Sequence, residues 1–146
     1  MKINNFTNYA YRILIVLGLN KDKTVPLSEI AALYDISLNH LKKVSARLVE
    51  HGYVETERGR SGGLKIAKPT VDIGLGDVFK IAQTETAFID CSMKDSSSVL
   101  QASVSELQLV FEKALSHFIA VLNQYTLADL MIDRRLQSSL MVSSTV

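Results

Sequence analysis

Three groups of residues carry side chains that could do chemistry. The first runs from Ser37 to Arg47 and holds Ser37, Asn39, His40, Lys42, Lys43 and Arg47. A side-chain amide such as Asn39 can pair with adenine and an ammonium such as Lys43 with guanine, while Lys42 and Arg47 suit phosphate oxygens. The second is Arg58-Gly59-Arg60-Ser61-Gly62-Gly63. It joins two guanidinium groups to backbone able to approach phosphates closely, and Arg60 could enter a minor groove, whose negative potential attracts it. The third is Cys91, the single cysteine of the chain.

Each group also has a plainer reading. The charges between Ser37 and Arg47 could be a solvated helix face, and the glycines around Arg60 and Ser61 could merely supply positive φ in a turn. The distribution of charge favours the chemical reading. Between Ser37 and Thr70, seven cations oppose three carboxylates, a net +4, so the remainder of this +1 chain carries −3. A basic segment inside an otherwise acidic protein is what phosphate contact requires.

Cys91 leaves three readings open: a partly buried small residue, a redox-sensing thiol, or a ligand to a metal or cofactor. Asp90 is adjacent and Lys94 is the only nearby cation in sequence, so a lowered thiol pKa is not evident. Sensing by a small molecule in a dimer interface is a fourth possibility. No nucleophile, base and orienting group occur together, and Ser61 between glycines is better explained by a turn, so the residues do not point to an enzyme.

The elements that must position these groups follow from periodicity and punctuation. Thr7 could cap a first helix to about Leu19; its apolar residues, nearly all round, predict burial on two sides, one of them by a partner chain. A second helix is expected from about Pro26–Ser28 to Tyr34, and a third, capped by Ser37, through His51. Leu38, Leu41, Val44, Leu48 and Val49 would point inward from it. The short Tyr34-Asp35-Ile36-Ser37 link, with small Ala31 at the approach, is a helix-turn-helix pattern. Tyr53 to Thr56 and Leu64 to Ala67 alternate as strands around the glycine-rich tip, which makes a hairpin, here a wing. Ile73 to about Ala82 reads as a short amphipathic helix. From Ser98 to Tyr125 apolar residues recur at helical spacing over roughly 40 Å, longer than a head of this size can cover, so a paired copy should cover the rest. Thr126 and Asp129 resemble a capping box opening a last short helix, and residues 137–146 read as a frayed tail.

The fold expected is therefore mainly α: a winged helix-turn-helix with a two-stranded wing and a long C-terminal dimerisation helix. Residues 1–82 would form the DNA-binding domain with its N-terminal helix, 83–97 a sensor-type loop, and 98–146 the dimerisation and C-terminal helices. Nearly half the residues are apolar, enough for a core. The longest unbroken apolar runs, Ile13 to Leu17 among them, are far short of the ~20 residues of a membrane span. The N-terminus lacks a basic stretch, apolar segment and cleavage site in sequence, so a cytoplasmic location and no membrane partner are expected.

These residues resemble the NsrR and IscR regulators, the Rrf-two family of winged-helix repressors, and most of all its nitric-oxide-responsive branch. The resemblance is carried by Phe6-Thr7-Asn8-Tyr9-Ala10-Tyr11-Arg12, Ser37-Leu38-Asn39-His40-Leu41-Lys42-Lys43, Gly52-Tyr53-Val54, Arg58-Gly59-Arg60-Ser61-Gly62-Gly63-Leu64 and Tyr125-Thr126-Leu127-Ala128-Asp129-Leu130. It implies a homodimer, with first and long helices packed on the partner, at a near-palindromic operator on double-stranded DNA. It also implies an iron-sulfur cluster held by three cysteines in the loop before the long helix and a fourth ligand elsewhere. Cys91 matches the first cysteine, but Ser96 and Ala102 stand where the other two belong, and Asn8 where some relatives offer an acidic ligand. Neither hydroxyl nor methyl fills the role of a thiolate, and His40, His51 and His117 lie outside the loop. No cofactor is therefore expected, the alternative being a cluster that uses Cys91 and unidentified ligands. The function expected is a homodimeric, sequence-specific repressor with a degenerate ligand set, responding to nitric oxide or redox state. The alternatives are a single-cysteine redox-responsive or small-ligand-responsive regulator, an activator, and a winged-helix interaction module that does not bind DNA.

Overall fold

The computed structural model describes residues 3–59, 62–83 and 98–132, with backbone alone for 98–103. Arg60, Ser61, Cys91, the sensor-type loop from residue 84 onward and the tail from 133 lie outside the described residues. The order of elements is α1 (Asn5–Leu19), α2 (Leu27–Tyr34), α3 (Leu38–Glu50), β1 (Val54–Glu57), β2 (Gly63–Ile66), a 3-10 turn (Thr70–Asp72), α4 (Leu75–Ala82), α5 (Ser98–Leu122) and a second 3-10 turn (Ala128–Met131).

Helix α1 starts earlier than its sequence suggests. Asn4, not Thr7, is the cap: its side chain accepts the Thr7 N–H at 2.7 Å, while the Thr7 side chain is buried. Ala10, Ile13, Leu14, Val16 and Leu17 are all essentially inaccessible and form the centre of the core with Ile30, Leu41, Val44, Leu48, Val54 and Leu64. The second apolar side of α1 is taken up within the chain. α4 and the second 3-10 turn pack on it, Tyr11 donates its hydroxyl to the Leu75 carbonyl at 2.7 Å, and Gly18 lies against Met131.

The α2–α3 corner is set by Asp35, whose φ of 52° places it in the left-handed region. Aspartate is among the few side chains that visit this region readily. The turn lets the Ile36 N–H reach back to the Ala31 carbonyl at 3.0 Å, ending α2. Arg12 of α1 lies 4.8 Å over the Tyr34 ring and clamps the end of α2 to the first helix.

The region after the wing departs from a single helix at 73–82. Pro69 leads into a 3-10 turn, and α4 starts only at Leu75. Asn123, just past the end of α5, closes the start of α4: its Oδ1 accepts the Asp77 N–H at 3.0 Å and its amide donates to Asp77 Oδ1 at 3.1 Å. Phe79 and Phe118 meet edge to face with centroids 5.0 Å apart. Leu127 is fully buried and donates its N–H to the Ile73 carbonyl at 2.8 Å. The C-terminal end of α5 is thus locked to α4. Farther up the same helix, Leu107, Val110 and Phe111 stay exposed, as does Val121 near its end. Among the described residues no helix is long and apolar enough to cross a membrane.

Candidate nucleic-acid interface

Helix α3 is two-faced. Leu41, Val44, Ser45 and Leu48 are buried against the core, and Asn39, His40, Lys42, Lys43 and Ala46 are exposed. With 3.6 residues per turn, Asn39, Lys43, Ala46 and Glu50 line up on the outward side, flanked by Lys42 on one edge and by His40 and Arg47 on the other. Small Ala46 leaves the middle of that stripe open to close approach. Ser37 occupies the cap position and makes no side-chain cap bond. Leu38, expected to point inward, is 37% exposed, because it falls at the edge of the buried face. Arg47 forms an ion pair with Glu50 at 3.4 Å. A solvent-exposed pair of this kind contributes about 1 kcal/mol at most, so the guanidinium can be drawn away by a phosphate.

The wing is built on more than its two strands. β1 and β2 are antiparallel with Val54 opposite Ile66 and Glu57 opposite Gly63. Val25, before α2, bridges to Leu64 on the other edge of β2. Gly63 permits this approach: a Cβ there would lie 2.5 Å from the Val25 carbonyl oxygen. Glu57 accepts a hydrogen bond from the Thr24 hydroxyl and faces Lys65 at 4.0 Å, and Lys68 sits 4.4 Å over the Tyr53 ring. The base of the hairpin is fixed on both sides. At the tip Gly59 has φ of 126°, Gly62 donates to the Gly59 carbonyl at 3.0 Å, and Arg58 is exposed.

The structure therefore gathers Asn39, His40, Lys42 and Lys43 on one exposed side of α3 and places Arg58 and Gly62 apart from them on the wing. A helix with exposed donors beside a basic hairpin is the arrangement that puts one element in a major groove and the other on the adjacent backbone. The reading from sequence did not anticipate that Asn5, Phe6 and Tyr9 of α1 meet His40, Lys43 and Val44 around a cavity of about 230 Å³. The available signal was a pair of aromatic residues three positions apart, Phe6 in line with the Ala10-Ile13-Leu14-Leu17 stripe and Tyr9 at its edge.

A family model for Rrf2, described as an iron-dependent transcriptional regulator, matches residues 3–133. The chain belongs to the Rrf2 family. It is 36% identical to the HTH-type transcriptional regulator NsrR of Geobacillus kaustophilus, over 97% of both chains. Among solved structures it is similar to a transcriptional regulator from Lactobacillus plantarum, with a TM-score of 0.73 and 25% identity over 92% of each chain. It is also similar to IscR of T. potens, with a TM-score of 0.66 and 25% identity over 99% of this chain and 94% of that one. As an Rrf2 protein it is a DNA-binding transcription regulator, not an enzyme, with the winged helix-turn-helix and long C-terminal helix described above.

Proposed function

We propose that the chain acts as a homodimeric repressor that reads a near-palindromic operator through α3 and grips the flanking backbone with the wing. The observation that carries this reading is the outward face of α3, where Asn39, His40, Lys42 and Lys43 are exposed together. Asn39 and Lys43 are assigned to base edges, with Ser37 and His40 beside them at the start of the helix. Lys42, Arg47, Arg58, Arg60, Ser61 and Gly62 are assigned to phosphate and minor-groove contacts. The second copy is assigned to α5. Leu107, Val110, Phe111 and Val121, 41–64% exposed, share one side of that helix with exposed Ala114. Two heads held this way would place their third helices in successive major grooves, about one helical turn apart.

The donor set does not fit a family-type iron-sulfur cluster. One chain supplies one thiolate, Cys91, where a cluster takes about four. Asn8 is an amide whose Oδ1 already accepts from Arg12 at 2.9 Å. The signal is accordingly assigned to the Cys91 thiol or to a small ligand.

Selection from randomised duplexes tests the first part. The expected product is a pair of related half-sites about one turn apart, bound with an affinity that falls steeply with salt. Failure to enrich any sequence, or affinity indifferent to salt, overturns it. Oxygen-free purification with iron and acid-labile sulfide analysis tests the second. An iron-free dimer that still binds the selected duplex is expected, and stoichiometric iron and sulfide overturn the ligand argument.

A further inference from the structure

The cavity between α1 and α3 has a composition that selects a ligand. Its α1 wall is Phe6 and Tyr9, half-buried and packed on the core, with Asn5 at one end; its α3 wall is Val44, His40 and Lys43. Among the described residues no carboxylate lines it. Lys43 has no ion-pair partner among the described residues, the pairs there being Arg47–Glu50 and Lys65–Glu57. An apolar, aromatic floor is thus closed at one edge by an uncompensated ammonium. The volume of about 230 Å³ lies below the range of about 300–1,000 Å³ typical of drug-sized pockets, which limits the occupant to about one ring with a short substituent.

We propose that this groove binds a small aromatic carboxylate, and that the carboxylate and DNA exclude one another at Lys43. The inference rests on the assignment of His40 and Lys43 to DNA. The ring packs against Phe6 and Tyr9, where aromatic pairs gain beyond the area they bury. The carboxylate takes the Lys43 ammonium through a charge-assisted hydrogen bond, and Asn5 offers a further amide donor. Inorganic phosphate would leave the aromatic wall uncovered, and a neutral hydrocarbon would leave Lys43 without a counter-charge. A carboxylate held on Lys43 neutralises the ammonium and puts negative charge where the DNA must approach, so ligand binding weakens this contact of the DNA complex without any movement of the heads. The site gives the chain a route to effector control independent of Cys91.

Fluorine NMR titration of the full-length protein with 4-fluorobenzoate tests the proposal. Saturable binding is expected, weakened about fivefold or more in Lys43→Ala and unaltered in Lys80→Ala, which removes a cation from exposed α4 surface. Uncharged 4-fluorobenzyl alcohol should bind about fivefold more weakly than the carboxylate, a comparison that needs no variant. A short duplex should displace the carboxylate. Absence of saturable binding, binding indifferent to Lys43→Ala, or simultaneous binding of duplex and carboxylate without mutual weakening overturns the proposal. Duplex binding without ligand, followed by fluorescence anisotropy, separates the two readings. If duplex binds and fluorobenzoate does not, only the groove falls. If duplex does not bind, the DNA assignment falls, and with it the exclusion.

Discussion

Val25 and Leu64 exchange both backbone hydrogen bonds, each 2.8 Å long, so the wing is fastened to the segment that leads from α1 into α2. The wing is therefore positioned by the same backbone that starts the helix-turn-helix. Gly63 is the residue that permits the contact, because a Cβ there would meet the Val25 carbonyl oxygen at 2.5 Å and Pro26 N at 2.8 Å. Both neighbours are backbone and cannot swing aside. Gly63→Ala should cost about 1–3 kcal/mol of stability, the scale of an overpacked site. It should also reduce duplex affinity by more than the stability loss explains, because the wing must tilt. Urea denaturation and anisotropy on the same preparation check both; a variant with unchanged midpoint and affinity would mean that the bridge holds nothing in place.

Tyr11 offers a test of how α1 is tied to α4. Its hydroxyl donates to the Leu75 carbonyl at 2.7 Å, and burial pushes its pKa up to about 12. Tyr11→Phe should lose about 1 kcal/mol, the usual net value of one such bond. The folded state holds the proton more tightly than the unfolded chain, whose tyrosine ionises near its ordinary value of 10. This contribution is fully present below pH 10 and is lost as pH rises toward about 12. Denaturant midpoints of the two proteins should therefore converge across that alkaline interval, and a constant gap would place the stabilisation elsewhere.

Asp129 makes the opposite prediction at the acid end. Its carboxylate accepts from the Thr126 N–H at 2.7 Å and from the Thr126 hydroxyl at 3.0 Å, and these bonds hold its pKa below the ordinary 3.8. A lowered carboxyl pKa gives stability above the unfolded value that disappears as pH falls through the folded one. Asp129→Ala should lower the melting temperature at neutral pH, with the gap closing as the pH is taken below 3.8. The same difference at both pH values would show that the charged form of Asp129 contributes nothing.

What was legible in the sequence followed from local rules. The buried stripe of α3 is written in Leu41, Val44 and Leu48, which fixes Asn39 and Lys43 on the other side, and the wing is written in two alternating runs around glycines. The reading went astray where distant packing decides. Thr7 looked like a cap, but Asn4 can do the same job a turn earlier, and the core then buries Thr7. The apolar second side of α1 suggested a partner chain, while α4 and Met131, far along the sequence, cover it. The last described element, expected as the start of a short helix, is a 3-10 turn over Ala128–Met131, held to the body of the chain through the Leu127 N–H on the Ile73 carbonyl. The groove between Phe6, Tyr9 and Lys43 depends on how α1 crosses α3, which no window of one element contains.

The exposed side of α5 carries the remaining prediction. Leu107, Val110, Phe111, Ala114 and Val121 recur at helical spacing, while Leu115, Phe118, Ile119 and Leu122, half-buried, occupy the adjoining side. α4 meets that second side through Phe118, while the first is left exposed among the described residues. A row of apolar side chains along one side of a helix is stable in water only if something covers it, and a second α5 lying alongside would do so by the same surface on both copies. Replacing Val110 and Ala114 together by lysine would set like charges against each other across a two-fold axis and bury them without partners. The double variant should sediment as a monomer with unchanged helical content at low concentration, whereas the unaltered chain should sediment as a dimer. Its duplex affinity should fall by about 100-fold or more, because one head loses the effective concentration that the linked second head supplies. A double variant that remains dimeric would assign the interface to another surface, and a monomer with undiminished affinity would mean that one head suffices to read DNA.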